Sequence, residues 1–119
     1  MYKEELKKRF FAFAVAIVRY SEILPNRKPL EISKGQIIRS ASSSACNYRA
    51  ACRAKSNADF INKLKIVEEE LDETLFWLEF IRAIEKAGIN DNLKLSKECD
   101  ELLAIIVSSI KTSRDKNKS

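Results

Sequence analysis

The segment Gln36–Lys55 reads QIIRSASSSACNYRAACRAK and contains neither Gly nor Pro, which favours one uninterrupted helix. An apolar seam runs along it in alternating steps of three and four, through Ile38, Ala41, Ala45, Tyr48 and Cys52. The opposite side carries small, mostly polar residues: Gln36, Ser40, Ser43, Asn47, Ala50 and Ala54. We expect the seam to face the chain's own core. The other side is left to meet either a second copy of the chain or water.

Helix-breaking residues are scarce in the rest of the chain as well. The 119 residues include two Gly and two Pro, and both Pro lie in one connector, Ile23–Ser33. We predict a first helix over Lys3–Glu22 and a second from near Glu31 or Ser33 through the Ala/Ser-rich segment. The third should begin after a Ser56 cap and run to about Ala87, where Gly88 ends it. The fourth should run from a cap at Asn90 or Asp91 to about Lys111. Their apolar stripes predict an all-α, antiparallel up-down four-helix bundle over residues 1–112, with a flexible basic tail over 113–119.

Several classes of function are disfavoured by composition. The chain has no His, which removes the usual di-metal bundle site and the commonest general base. We find no Gly-rich phosphate loop and no activated nucleophile, and therefore predict a non-enzymatic protein without cofactor or metal. The longest apolar run, Phe10–Val18, is too short to span a membrane. The three cysteines lack CxxC spacing, so we expect reduced thiols and a cytoplasmic protein.

Charged residues concentrate on the second and third predicted helices. An acidic cluster on the third helix includes Glu69, Glu70, Asp72 and Glu73. We expect these acids to pair with Arg39, Arg49 and Arg53, within or between subunits; a carboxylate-only Mg²⁺ site is the minor alternative. Trp77 lies off the inner line of its helix, which predicts contact with another helix or chain. Asn47 either bonds across to another helix or lies exposed.

The net charge of +5 makes an anionic partner possible. Our candidates for phosphate contacts are Arg39, Arg49, Arg53 and Lys55, and the alternative is that they only form a solvated surface. The candidate oligomer or structural residues are Gln36, Ser40, Ser43, Asn47, Glu69, Glu70, Asp72, Glu73 and Trp77.

The pattern QxxRSxxS from Gln36 to Ser43, followed by Asn47-Tyr48 and an acidic helix ending in Trp77-Leu78-Glu79, is distinctive. It resembles the bacterial four helix bundle protein family, also called the 23S rRNA intervening-sequence or 23S ribosomal protein family. The resemblance covers about Leu24–Ile81. It implies a bundle that assembles as a homopentameric ring, related to the nucleic-acid-binding accessory variability proteins of diversity-generating retroelements. Many family members carry an acid where this chain has Arg49, so the surface here is more basic.

Two hypotheses for function follow from these observations. The first is a homo-oligomeric bundle that binds RNA or DNA through its basic surface. The second is a protein-interaction scaffold, in which the same Arg residues are consumed by salt bridges to Glu69, Glu70 and Glu73 across subunits.

Overall fold

The computed structural model describes residues 2–118, and these residues form four helices and no strand. They are α1 (Tyr2–Glu22), α2 (Lys28–Ala51), α3 (Asn57–Ile84) and α4 (Ile89–Lys118). The predicted all-α class is therefore confirmed. A helical bundle fits the arrangement, which is an elongated body of 52 × 21 × 21 Å.

Each helix packs against the next one along the chain, and α1 also packs against α4. Residues early in α3 contact residues late in α4, and residues late in α3 contact residues early in α4. Asn57 donates to the carbonyl of Ser113 at one end, and Arg82 donates to Asn92 near the other. The end of the body that holds the α2–α3 connector therefore also holds the last turns of α4.

The core is a continuous column of apolar side chains contributed by all four helices. Phe10 of α1 stacks on Tyr48 of α2, with ring centroids 4.9 Å apart and an interplanar angle of 14°. Large side chains with no exposed surface continue the column: Ile17, Leu30, Ile37, Leu64, Val67, Leu71, Leu78, Ile81, Leu102 and Ile106. Each burial of this kind contributes ~1.5–3 kcal/mol to stability, so the packing of these stripes is what holds the helices together.

The second helix begins earlier than we predicted. It starts at Lys28, so the connector from α1 is only residues 23–27, not Ile23–Ser33. Pro29 lies in the first turn of α2, where its missing N–H is not needed by the helix. The amide of Glu31 donates to the carbonyl of Arg27 at 2.8 Å, which closes that turn.

The buried arc of α2 is wider than the predicted seam. Ala41 and Tyr48 are buried as expected, but Ser40 and Ser44 are buried as well. Ser40 shares a hydrogen bond of 2.8 Å with Thr74 of α3, so its side faces the chain's own third helix. Our assignment of Ser40 to the side opposite the core was wrong, because α2 packs between α1 and α3 and is covered by both.

The capping residue of α3 was predicted correctly, whereas the ends of the last two helices differ from expectation. The amide of Asp59 donates to Ser56 Oγ at 3.0 Å. However, α3 ends at Ile84 and α4 begins at Ile89, so Gly88, with φ of 67°, lies directly before α4. Helix α4 also continues past the predicted boundary at residue 112, and Ser113 is buried within it.

Candidate nucleic-acid interface

Arg39 lies on the solvent side of α2 and is bound by two acids of α3. Its guanidinium makes a bidentate pair with Glu70, with N–O distances of 3.1 and 3.2 Å, and a further contact with Glu73. The hydrogen bonds that Arg39 donates, above all to Glu70 and then to Glu73, raise the pKa of Arg39. The predicted Arg–acid pairing is therefore present here within one chain.

Glu70 is the centre of a hydrogen-bond network that joins α2 to α3. Ser43 donates to Glu70 at 2.8 Å, and Asn47 donates to the carbonyl of Ser43 at 2.9 Å and to its hydroxyl at 3.1 Å. Partial burial opposes ionisation of Glu70, but the hydrogen bonds from Arg39 and Ser43 outweigh it and lower its pKa. Asn47 thus bonds within its own helix and does not reach across to another one.

Four other predicted residues lie outside this network or at its edge. Trp77 is half-buried, and its indole N–H donates to Glu73 at 3.3 Å. Gln36 is exposed on α2. Glu69 and Asp72 are exposed near Leu103 of α4, on a different side of α3 from Glu70. The acidic cluster is therefore divided between two faces, and only part of it meets α2.

Arg49, Arg53 and Lys55 come together at the α2–α3 connector. They line an open depression of about 600 Å³ that also includes Lys63 of α3. The side chains of Arg49 and Arg53 are exposed, and neither guanidinium forms a hydrogen bond or ion pair with any residue in the range 2–118. We call the group Arg49, Arg53, Lys55 and Lys63 the basic depression.

One acid lies within the basic depression. Asp59 accepts from Lys63 at 2.9 Å, and this hydrogen bond is the main reason that its pKa is lowered. The pair neutralises Lys63 but leaves both guanidinium groups uncompensated. Three of the four predicted phosphate contacts are therefore brought together, and Arg39 is separated from them by its own ion pairs.

The sequence analysis missed a buried polar network at the other end of the bundle. Asn92 has no exposed surface, donates to Tyr20 Oη at 2.8 Å and to the Leu78 carbonyl at 3.0 Å, and accepts from Arg82 at 2.6 Å. Burial raises the pKa of Tyr20. The available signal was spacing, because Asn92 continues the stripe of Leu95 and Cys99 by one step.

No cluster of His, Cys, Asp or Glu among residues 2–118 has the geometry of a metal site. Within the same range, no helix is long and apolar enough to cross a bilayer. The three cysteines are unpaired: Cys46 is exposed, Cys52 is half-buried and Cys99 is buried. Cys99 thus serves as a core filler, as its position in the stripe predicted.

The four helices are those that the sequence resemblance implied. The sequence model of the 23S rRNA-intervening sequence protein family matches residues 3–108, nearly the whole chain. The chain belongs to this family. A crystal structure at 1.70 Å resolution, of a protein with unknown function from the S23 ribosomal protein family of Bacteroides thetaiotaomicron, superposes with a TM-score of 0.83. The two are 34% identical, over 93% of this chain and 99% of that one. No curated protein matches the chain.

The chain shares its fold with a relative whose function is unknown. Any function must therefore be argued from the surface of the bundle. The basic depression and the exposed apolar side chains are its two main features.

Proposed function

We propose that this protein is a non-enzymatic, homo-oligomeric helical bundle that binds RNA or DNA through the basic depression. The observation that carries the proposal is the pair Arg49 and Arg53, exposed and uncompensated beside Lys55 and Lys63. Guanidinium groups bind phosphate in a planar, two-point geometry, and each phosphate neutralised releases condensed counterions. Two such groups, one in the last turn of α2 and one in the connector that follows, line the same depression and form a local site for a phosphate backbone.

Our proposal for the bundle itself is the up-down arrangement, with neighbouring helices antiparallel. Contacts between neighbouring helices support this arrangement. As residue numbers rise along α3, their partners in α4 fall, and the same holds for α1 and α4. Arg9 pairs with Glu98 and Glu101, whereas Tyr20, further along α1, meets Asn92, which is earlier in α4. In this topology Arg49, at the end of α2, and Arg53, in the α2–α3 connector, lie at the same end of the molecule.

We further propose that copies of the chain assemble as a ring, with five subunits expected from the family resemblance. Two apolar surfaces support assembly. One is the groove between α1 and α4 that includes Phe11, Val15 and Ile23, and the other is the patch between α2 and α3 that includes Ile32 and Phe80, with Trp77 beside them. Phe11 is 68% exposed and Ile32 is 56% exposed.

The two apolar surfaces lie on opposite sides of the bundle but near the same end, beside the α1–α2 and α3–α4 connectors. When two different surfaces at the same level along the bundle axis bind each other, successive copies are related by a rotation. If that rotation divides a full turn evenly, the copies close into a ring and do not extend into a filament. A ring would repeat the basic depression in every subunit, so weak phosphate contacts would add through avidity.

The experiment is a fluorescence anisotropy titration of labelled RNA at several salt concentrations. We expect affinity at low salt that falls steeply as salt rises, and a loss of about tenfold or more in the double variant Arg49→Glu and Arg53→Glu. The matched control is Lys86→Glu with Lys97→Glu, which makes the same change in charge on exposed residues away from the depression. Absence of RNA and DNA binding at low salt would overturn the proposal.

The second candidate is a protein-interaction scaffold without nucleic-acid binding. Two observations favour it: the ion pairs that occupy Arg39, and the exposed aromatic side chains Phe76 and Phe80 on α3. Light scattering separates the candidates when it is combined with the RNA titration. A scaffold keeps its assembly and shows no RNA affinity, and its subunit number changes in Phe76→Ser. We also propose a cytoplasmic location, supported by three unpaired cysteines.

A further inference from the structure

A second groove lies at the same end of the bundle as the basic depression. It has a volume of about 460 Å³ and is lined mainly by apolar and hydroxyl-bearing residues of all four helices: Tyr2, Lys3, Tyr48, Phe60, Ile105 and Thr112. Tyr2 is 59% exposed, and Phe60 is partly buried against the core. We call this the aromatic groove. Neither the assembly nor the phosphate contacts proposed above make use of it.

The aromatic groove and the basic depression adjoin each other along two helices. On α3, Asp59 lines the depression and the next residue, Phe60, lines the groove. On α2, Arg49 lines the depression and the preceding residue, Tyr48, lines the groove. Consecutive residues of a helix project about 100° apart, so the two features occupy neighbouring faces at the same height. A ligand held by the arginines thus has aromatic side chains within its reach.

We infer that the nucleic acid bound at this end of the bundle is single-stranded, with phosphates on Arg49 and Arg53 and bases stacked in the aromatic groove on Tyr2 and Phe60. The inference rests on the proposed nucleic-acid binding and names the class of ligand. Aromatic side chains beside a cationic track are the combination that single-stranded nucleic acid requires, because each base presents a π face. In a duplex these faces are covered by stacking, so only the phosphates would be engaged.

Lys3 is the group that now occupies the groove. Its Nζ lies 4.9 Å from the centroid of the Phe60 ring, in a cation–π contact. An exposed contact of this kind is weaker than the stacking of a base on an aromatic ring, so a base is able to displace it. The displaced ammonium group stays beside the bound strand, where it adds a positive charge. Lys3 therefore favours an anionic ligand and disfavours a purely apolar one.

The test compares three fluorescent probes of equal length, about 12 nucleotides, by anisotropy at low salt. They are single-stranded oligouridylate, the same strand without its bases, and an RNA duplex. We expect the wild-type protein to bind oligouridylate about tenfold more tightly than the abasic strand. The double variant Tyr2→Ala and Phe60→Leu should bind both strands equally, since Leu keeps apolar volume next to the core while the aromatic faces are gone. The matched control, Ile66→Ala, removes an exposed apolar side chain of α3 outside the groove, the depression and both assembly surfaces, and should retain the preference.

The outcomes distinguish this inference from the proposed function. Equal affinity for all three probes, with steep salt dependence, would overturn the single-strand assignment and leave phosphate binding intact. Tighter binding of the duplex would also overturn it. No binding of any probe at low salt would overturn both. A preference for oligouridylate that persists in the double variant would place the bases elsewhere and reject the aromatic groove.

Discussion

Asn92 of α4 donates a hydrogen bond of 2.8 Å to the phenolic oxygen of Tyr20 of α1, and both side chains are buried. The Asn92 side chain also donates to the carbonyl of Leu78 and accepts a hydrogen bond from Arg82, both in α3. One residue therefore connects α1, α3 and α4. Because Asn92, Tyr20 and Leu78 are all buried, the network defines how α1, α3 and α4 align at this end. A polar group in an apolar column is costly unless every partner is present.

Replacement of Asn92 by Ala should lower the free energy of unfolding by about 1–3 kcal/mol, because the variant leaves buried groups without partners. Urea denaturation measures this change. The matched control is Asn90→Ala at an exposed position of the same helix, where the effect should stay within about 0.5 kcal/mol. Equal effects in the two variants would contradict a structural role for the network.

The stability of the protein should fall in acid, with Glu70 as one contributor. Its pKa lies below the ordinary value of 4.5, so ionised Glu70 stabilises the fold above that pH. This contribution is lost as the pH falls through the lower pKa of the folded state. Unfolding curves recorded between neutral and acidic pH should therefore be less pH-dependent in Glu70→Gln than in the wild type. Glu69→Gln, which removes an exposed acid outside the network, should leave the wild-type dependence unchanged.

The two glycines should respond in opposite ways to substitution by Ala. Gly88 has φ of 67°, and an added Cβ would lie 2.6 Å from Ile23 Cδ1, so Gly88→Ala should destabilise the fold by about 1–2 kcal/mol or more. Gly35 lies within α2, and an added Cβ would meet nothing within 4 Å beyond the local backbone of its own helix, so Gly35→Ala should stabilise the fold by about 0.5–1 kcal/mol. Thermal unfolding measures both changes. A stabilising Gly88→Ala would refute the strained position.

Cys46 offers a chemical probe of the basic depression, because it is exposed and lines the same surface as Arg49 and Arg53. A thiol reagent should modify Cys46 first and leave Cys99 unreacted until unfolding, since Cys99 is buried and burial raises its pKa. Bound RNA at low salt should slow the modification of Cys46, and high salt should restore the rate. Unchanged reactivity with saturating RNA would place the binding surface elsewhere.

The sequence by itself determined the all-α class, the main apolar stripes, the Ser56 cap and the family. These features depend on local spacing and composition, which repeat with the period of a helix and require no knowledge of neighbours. The pairing of arginines with the acids of α3 was also predictable as a type of contact. However, the choice of Arg39, and the separation of Arg49 and Arg53 from those acids, depends on which faces of α2 and α3 meet.

Only the tertiary structure decided which small residues of α2 are buried. Helix α2 packs against α3 as well as α1, and the contact with α3 buries the Ser40 hydroxyl against Thr74. The early start of α2 at Lys28 and the role of Asn92 have the same origin, because a helix end or a polar side chain in a stripe is stabilised by partners distant in sequence. The joining of the basic depression to the aromatic groove likewise arises from packing, which brings the first turns of α1 and the last turns of α4 beside the α2–α3 connector.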